Sequence, residues 1–551
     1  MLAYAPFHLL IFIGGTAAAF SRHPTRSEGV KWGPCSDVFL SPLPIECGNL
    51  TVPLDYANSS SSETINLELL KVKALNGPPK GSILFNFGGP GLGTRISLAE
   101  RANLLQAVTG GNHDLISWDP RGTVNTTTFK CRTGAFEDIQ YIPGPPGNSS
   151  DLLATGHQWA SATAWANTCY LNPESRETGS LIGTSYTVRD MMQIVDAVQE
   201  DGLLRYFGEI MSESKSVRPC ANIVGTSYGT IIGATAAAMF PERMKAVVLD
   251  GVVNPHEWYH EHEFEQPADA DEIILEIFRA CLERPEKCAL AGRNATAESL
   301  HEKFLNLITE SKLRPLVTGT IAWDHTIIIT LLRPALYNPQ LWSALASWVD
   351  SLFSRNETKA GEAVQQMTAL RGISASIGMD DDSAWGIQCI DKLPRTSDLN
   401  EFLPVIDRIA GSSRSIGYYG IAIQLLCTQW RIEARETYTG DFKVKTKNPL
   451  LIFSNTLDPA TPLRSAQNVS ETFEGSVLLQ SEGLGHGWRT HPSLCVAKAF
   501  QKYFDEGVLP EPGTKCKTDF APFDVTNTSW DELLPQLGFK PVAQRSNQLY
   551  D

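Results

Sequence analysis

Positive charge is scarce in this chain. Over 551 residues, 46 Lys and Arg face 61 Asp and Glu, for a net charge of −15. No basic stripe is available to neutralise phosphates, which argues against a nucleic-acid partner. Long apolar runs are scarce too. Past the N-terminal segment, no stretch reaches the ~18 uninterrupted apolar residues of a spanning helix, so no stable membrane insertion is expected. None of the 11 cysteines forms a C-x-x-C pair, the usual thiolate signature of a zinc site. His256, His260 and His262 have mixed spacing in an acidic, aromatic stretch; they read as a solvated face rather than a metal site. No metal and no organic cofactor is expected. No repeat architecture is evident, which excludes a solenoid.

The first 19 residues carry Leu9-Leu10-Ile11-Phe12-Ile13 followed by Ala17-Ala18-Ala19. An apolar core before small residues is the pattern of a secretory signal peptide, although Lys and Arg are missing ahead of it. A retained membrane anchor is the competing reading. Eight N-x-Ser/Thr sequons, at Asn49, Asn58, Asn125, Asn148, Asn294, Asn356, Asn468 and Asn527, point to a glycosylated, exported protein. The pairs Cys35/Cys47, Cys131/Cys169, Cys281/Cys288, Cys389/Cys427 and Cys495/Cys516 could each close a local loop, but spacing alone does not fix connectivity. That pairing would leave Cys220 as a buried free thiol.

Near-continuous apolar runs at 82–87, 114–118 and 245–253, with an alternating run at 65–69 and a helical period at 188–198, predict strands interleaved with helices. Such runs suit a mainly parallel sheet covered by helices on both faces, an α/β fold. Between 254 and 447 strand signals thin out and helical periodicity dominates, as at 272–282, 297–308 and 341–353; this reads as a large, mostly helical cap insertion. Sheet signals resume at 449–454 and 476–480. A closing helix is expected at 494–504, and a Pro-rich tail wraps the surface beyond Gly507. The expected units are a signal at 1–19, a first core part at 30–253, a cap at 254–447 and a second core part at 448–551.

Everything is organised around 220–239, CANIVGTSYGTIIGATAAAM. Its start reads as a short buried strand, 221–224. Gly225-Thr226-Ser227-Tyr228-Gly229 follows, and then a run of small residues. The glycines on either side of Ser227 fit the G-x-S-x-G turn that exposes a nucleophilic Oγ between strand and helix. A second Gly-Thr-Ser-Tyr, at 183–186, continues with Thr187 and reads as a helix start, with Thr187 as its N-cap. Acyl transfer by serine also needs a base for the Oγ proton and a carboxylate to orient that base. Asp458 follows the apolar run 449–454, and His486, between two glycines, follows 476–480. Polar residues just past buried strands lie at the sheet's carboxyl edge, where such sheets bind ligands. Asp250 is an alternative acid and His491 an alternative base. The oxyanion needs N–H donors from Tyr228 and from the loop Gly88-Gly89-Pro90-Gly91.

With these residues in place, the chain resembles a family. Phe-Gly-Gly-Pro-Gly (87–91), Asp-Pro-Arg-Gly (119–122), Gly-Thr-Ser-Tyr-Gly-Thr (225–230), Asp-Pro-Ala-Thr-Pro (458–462) and Gly-His-Gly (485–487) are similar to motifs of the α/β-hydrolases related to prolyl and tripeptidyl aminopeptidases. The C-terminal part is similar to the family's tripeptidyl-aminopeptidase-like module. Cys389-Ile390-Asp391 and Cys427-Thr428-Gln429-Trp430 resemble segments of its secreted members. The resemblance spans about residues 30 to 520. It implies an α/β-hydrolase fold, a triad of Ser227, Asp458 and His486, and oxyanion donors at Gly89 and Tyr228, with Asp119 and Arg121 bracing the site. Many relatives carry His where Phe87 stands. The aminopeptidase members hold the substrate's free amine with cap carboxylates, for which Glu257, Glu261 and Asp391 are candidates here. The implied activity is a secreted serine exopeptidase acting on small peptides. The alternatives are an esterase, lactonase or amide hydrolase acting on a small metabolite, or a catalytically dead binding protein on the same fold.

Overall fold

The computed structural model describes residues 29–131, 150–199, 201–209, 228–318, 321–371 and 381–546. The signal segment expected at 1–19, Asn148, Cys220, the strand expected at 221–224 and Ser227 lie outside the described residues.

In chain order the strands are β1 (Leu40–Ser41), β2 (Ile45–Pro53), β3 (Thr64–Val72), β4 (Ser82–Asn86), β5 (Asp114–Trp118), β6 (Leu204–Gly208), β7 (Met244–Asp250), β8 (Leu316–Thr318), β9 (Ile321–Trp323), β10 (Leu451–Leu457), β11 (Val477–Leu484), β12 (Lys515–Cys516) and β13 (Arg545–Ser546). Nine of them form one sheet in the order β12-β11-β10-β7-β6-β4-β5-β3-β2. Every pairing from β12 to β5 is parallel, and β3 and β2 add on antiparallel at one edge. At the other edge β12 covers only Gln480 and Ser481 of β11.

Alternate side chains of a strand face opposite ways, and both faces of this sheet are apolar. Leu84, Ile116, Tyr206, Val247, Leu249 and Ile452 join one buried cluster. Their neighbours Ile83, Phe85, Leu115, Phe207, Val248 and Phe453 join another. That explains the continuous apolar runs in the sequence. The helices Thr184–Val198 and Tyr228–Met239 contribute to the first cluster, and Arg95–Val108 and Leu494–Glu506 to the second. Tyr228–Met239 lies very close to the sheet: a Cβ on Gly233 would stand 2.5 Å from Leu249 and 2.7 Å from Tyr206.

Among the described residues, nine helices longer than five residues run from Pro255–His260 to Ile421–Thr428, and the β8–β9 hairpin interrupts them. Part of this region has its own core, around Ile273, Phe278, Phe304, Leu332, Trp342 and Trp348. The rest packs with the sheet's first cluster through Trp258, Trp385 and Trp430. All five cysteine pairs named above are disulfide-bonded.

Several expectations need correction. Residues 45–53, where no strand is expected from the sequence, form β2. The tail adds β12 to the sheet and pairs β13 with β1. Thr187 is not an N-cap. The helix begins at Thr184 with Gly183 as its cap, so Thr187 sits in the first turn. The stretch 256–263 is not a solvated face, because Glu257, Trp258, Tyr259 and Glu263 are all buried. The reason is packing on Tyr228–Met239: the Trp258 ring meets that of Tyr228 at 5.6 Å, and the Tyr259 hydroxyl meets that of Thr235 at 3.0 Å.

Candidate active site

β10 and β11 are parallel neighbours, and their exit loops deliver Asp458 and His486 to one point. The imidazole Nδ1 lies 2.8 Å from each Asp458 carboxylate oxygen. Both side chains are buried. Asp458 is anchored by its own turn. The N–H groups of Ala460 and Thr461 donate to Oδ1, each at 2.9 Å, and the Thr461 hydroxyl donates to Oδ2 at 2.9 Å. Gly487 N–H donates to Oδ2 from the histidine loop at 3.3 Å.

The histidine loop is fixed on both flanks. Gly485 and Gly487 have φ of +98° and +75°, a region that favours glycine. Between them, His486 N–H donates to the Tyr337 carbonyl at 2.8 Å. A Cβ on Gly485 would stand 2.5 Å from that carbonyl oxygen. Asn455, near the end of β10, donates its side-chain amide to the carbonyls of Gly485 and Gly487 at 2.9 Å each. The Tyr337 ring covers the imidazole at 5.0 Å. With its Nδ1 proton directed at Asp458, the imidazole presents Nε2 as a base.

The two alternatives weighed from sequence lie elsewhere. Asp250 ends β7 and accepts from Trp488 N–H at 3.1 Å. Burial, followed by the neighbouring Glu209 carboxyl, pushes its pKa well above the usual carboxylate range. His491 accepts from Leu484 N–H at 3.2 Å, and its other nitrogen meets the Phe520 carbonyl at 2.8 Å. Both of its ring nitrogens are therefore occupied structurally.

Tyr228 opens the helix Tyr228–Met239. Its hydroxyl lies 2.8 Å from that of Thr184, so the side chain is turned into the core. Gly89 lies past β4, where Gly88, Gly89 and Gly91 have φ of +84°, +111° and +85°. The cap helix Asp381–Asp391 presses on this loop: a Cβ on Gly91 would stand 2.6 Å from the amide nitrogen of Ala384. Phe87 is fully buried and stacks on Phe85 at 5.9 Å. Its side chain belongs to the core. Asp119 accepts from Arg95 Nε at 2.7 Å and from Thr94 N–H at 2.7 Å; Arg121 donates to both Asp190 oxygens at 2.6 and 2.7 Å.

The three cap carboxylates differ in setting. Asp391 accepts from Thr184 N–H at 2.8 Å, Trp258 Nε1–H at 3.0 Å and the Thr184 hydroxyl, and burial raises its pKa to about 6. It is tied to Thr184 and Trp258 in the core. The Glu261 side chain is half exposed, 3.6 Å from His256. Glu257 is buried, accepts from Glu265 N–H at 3.1 Å, and is raised to about 8, mainly by burial.

Glu263 was missed by sequence reasoning. It is buried, accepts from Gln388 and Gln424, each at 2.9 Å, and lies 3.6 Å from the buried ammonium of Lys392. With Arg333, Tyr419, Pro459 and Ala460 it lines a small cavity next to the Asp458 turn. Its only sequence signal was its place in the acidic stretch already misread as solvated. Glu265, on the same segment, accepts from Ser465 at 2.6 Å and Asn468 at 2.7 Å, just beyond that turn. Among the described residues no cluster of three or more His, Cys, Asp or Glu could hold a metal ion.

Two family models match the chain. One, described as an alpha/beta hydrolase fold, covers residues 185–321, and the other, described as TAP-like protein, covers residues 413–516. The chain is 24% identical over 520 residues to serine protease Hip1 of Mycobacterium tuberculosis, covering 92% of this chain and 94% of that protein. It is 24% identical over 535 residues to a tripeptidyl aminopeptidase of Streptomyces coelicolor, covering 92% and 89%. It is 25% identical over 503 residues to carboxylesterase B of Mycobacterium tuberculosis, covering 90% and 91%.

Proposed function

We propose, from the premise that the chain is an α/β-hydrolase related to the tripeptidyl aminopeptidases, that it is a serine peptidase releasing residues or short peptides from free N-termini. The observation that carries this reading is the buried Asp458–His486 pair, delivered by adjacent parallel strands and anchored on all sides. Ser227, the residue ahead of Tyr228–Met239, supplies the attacking Oγ. His486 Nε2 takes its proton and later gives it to the leaving amine. Asp458 holds the imidazole and stabilises its charged form. The first N–H groups of a helix have no partner within it, so Tyr228 N–H, together with Gly89 N–H, receives the oxyanion. Water then attacks the acyl-enzyme, with His486 again as base.

Recognition of a free amine is supported by the carboxylates of Glu263 and Glu265 beside the Asp458 turn. Glu263 faces the buried ammonium of Lys392 and shares its cavity with Arg333, while burial keeps Glu257 protonated. The division into core parts at 30–253 and 448–551 with a cap at 254–447 belongs to the same proposal. So do cleavage of residues 1–19 and export of a glycosylated chain. Five disulfides and the exposure of all seven described sequon asparagines support export.

The likeness to a carboxylesterase favours one other reading, a small-ester hydrolase using the same triad. A screen of free and N-blocked tripeptidyl and aminoacyl amides against simple esters separates the two. The peptidase reading expects free-amine substrates to be cut and blocked ones spared. Equal rates on blocked peptides, or activity on esters alone, would reject it.

A further inference from the structure

The geometry assigns the turn at the nucleophile to Gly208 rather than Gly225: we infer that residues 209–225 interrupt a Gly-Thr-Ser-Tyr-Gly elbow that closes when Gly208 is followed directly by Thr226. The inference rests on the reading of Ser227 as nucleophile.

Sheet topology is the first reason. The nucleophile turn needs a sheet strand running straight into the helix that carries the serine at its head. Beside Tyr228–Met239, that strand is β6. It is bonded on one edge to β4, through Leu84↔Tyr206, Phe85↔Phe207 and Asn86↔Gly208, and on the other to β7, through Phe207↔Val248 and Gly208↔Leu249. A strand has two edges, and both are taken. Between β4 and β7, β6 leaves no edge for another strand.

Contact is the second reason. The end of β6 already touches the first turn of the helix. A Cβ on Gly208 would stand 2.6 Å from the Gly229 carbonyl oxygen, and one on Gly229 would stand 2.6 Å from the Asn86 carbonyl oxygen. The Tyr206 hydroxyl donates to that same Gly229 carbonyl at 2.7 Å. Two residues are enough to join such neighbours, since three Cα steps of ~3.8 Å span up to ~11 Å. The chain instead places 19 residues, 209–227, between Gly208 and Tyr228.

Sequence is the third reason. Without the 17 residues 209–225, the chain reads Tyr206-Phe207-Gly208-Thr226-Ser227-Tyr228-Gly229. The glycine two places before the serine is restored, now at the end of a real strand. Its lack of a side chain is required there by the Gly229 carbonyl.

The fourth reason is Glu209, the first residue of the interruption. It is fully buried, and neither carboxylate oxygen finds a partner of good hydrogen-bonding geometry. Arg489 Nε stands 3.6 Å away, the Asp250 carboxyl is a neighbour, and burial raises the Glu209 pKa to about 7. Burying a carboxyl group so weakly paired is costly. Glu209 N–H donates to the Asn86 carbonyl at 3.0 Å. Thr226 in its place can make that same bond and removes the carboxylate.

The test compares the full chain with one lacking 209–225, using a fluorophosphonate probe for labelling and thermal melting for the fold. The shortened chain is expected to melt no lower than the full chain and to label at Ser227 about 100-fold faster or more, the scale of a misplaced nucleophile. Gly208→Ala in the shortened chain should slow labelling far more than it lowers melting. Equal labelling of the two chains at Ser227, or a shortened chain that cannot fold, overturns the inference while leaving the serine assignment standing. A folded shortened chain that is not labelled, or is labelled equally after Ser227→Ala, overturns the serine assignment and the inference with it.

Discussion

Asp458 and Asp250 follow or end adjacent strands of one sheet, both fully buried, yet they are held in opposite ways. Asp458 takes donors from Ala460, Thr461 and Gly487 in addition to the imidazole. Asp250 takes a single backbone donor, from Trp488, and faces Glu209. Position at the carboxyl edge therefore does not make a catalytic acid. What separates them is a turn that folds back on Asp458 and a histidine loop pinned by Asn455.

The largest expected effect tests this contrast directly. Asp458→Asn should lower kcat by ~10⁴ with melting nearly unchanged, as loss of the orienting carboxylate does in other triads. Asp250→Asn should leave kcat almost untouched. Matching losses in steady-state assays of the two variants would erase the distinction. Next comes the loop on the other side of the site. Gly89→Ala places a side chain at φ +111°, with its Cβ 3.1 Å from Gly91 N. It should cost about 10²–10³ in kcat, the scale of one oxyanion donor, with a smaller change in KM; an unaltered kcat would move the oxyanion site away from this loop.

The third prediction concerns pH. The raised pKa of Glu257, about 8, means that the folded chain holds a proton that the unfolded chain releases near ~4.3. Between those values the native state binds more protons, so stability should fall as pH rises from about 4.5 to 8 and level off above. Glu257→Gln should flatten that decline and raise the melting temperature at pH 8 more than at pH 5. Parallel melting curves for the two proteins would rule out a buried neutral Glu257. The smallest effects concern the cap's two disulfides. Breaking Cys389–Cys427, which closes 38 residues, should cost about 2–4 kcal/mol, and Cys281–Cys288, which closes 7, should cost less. Chemical denaturation of the Cys→Ser variants gives the ranking, and a reversed order would mean that strain outweighs loop length.

Much of this architecture could be read from the chain because buried parallel strands have a plain signature. The runs at 82–87, 114–118, 245–253, 449–454 and 476–480 all fall on sheet strands that the structure contains. Asp458 and His486 were legible for the same reason, since each follows such a run. The strand that mattered most was not. β6 reads Leu-Arg-Tyr-Phe-Gly, and Arg205 hides its apolar character. In the fold the arginine stem is buried while its head bonds Asp201 at 2.8 Å, so the charge costs the strand little. The more apolar 221–224, beside the serine motif, lies outside the described residues. β2 was hidden by Gly48 and Pro53, which an edge strand tolerates. Glu263 was illegible because its partners, Gln388, Lys392 and Gln424, lie more than 120 residues away along the chain.

One consequence follows from the short strand at the sheet's far edge. β12 has two residues, and Cys516 within it is bonded to Cys495 in the helix Leu494–Glu506. Exposed strand edges invite pairing with another molecule, and very short edge strands blunt that hazard. The Cys495–Cys516 bond thus acts as a clasp that keeps β11 from offering its backbone to a second copy. Thiol reductants should therefore drive self-association before global unfolding, which would make colloidal behaviour depend on the redox state of the surroundings.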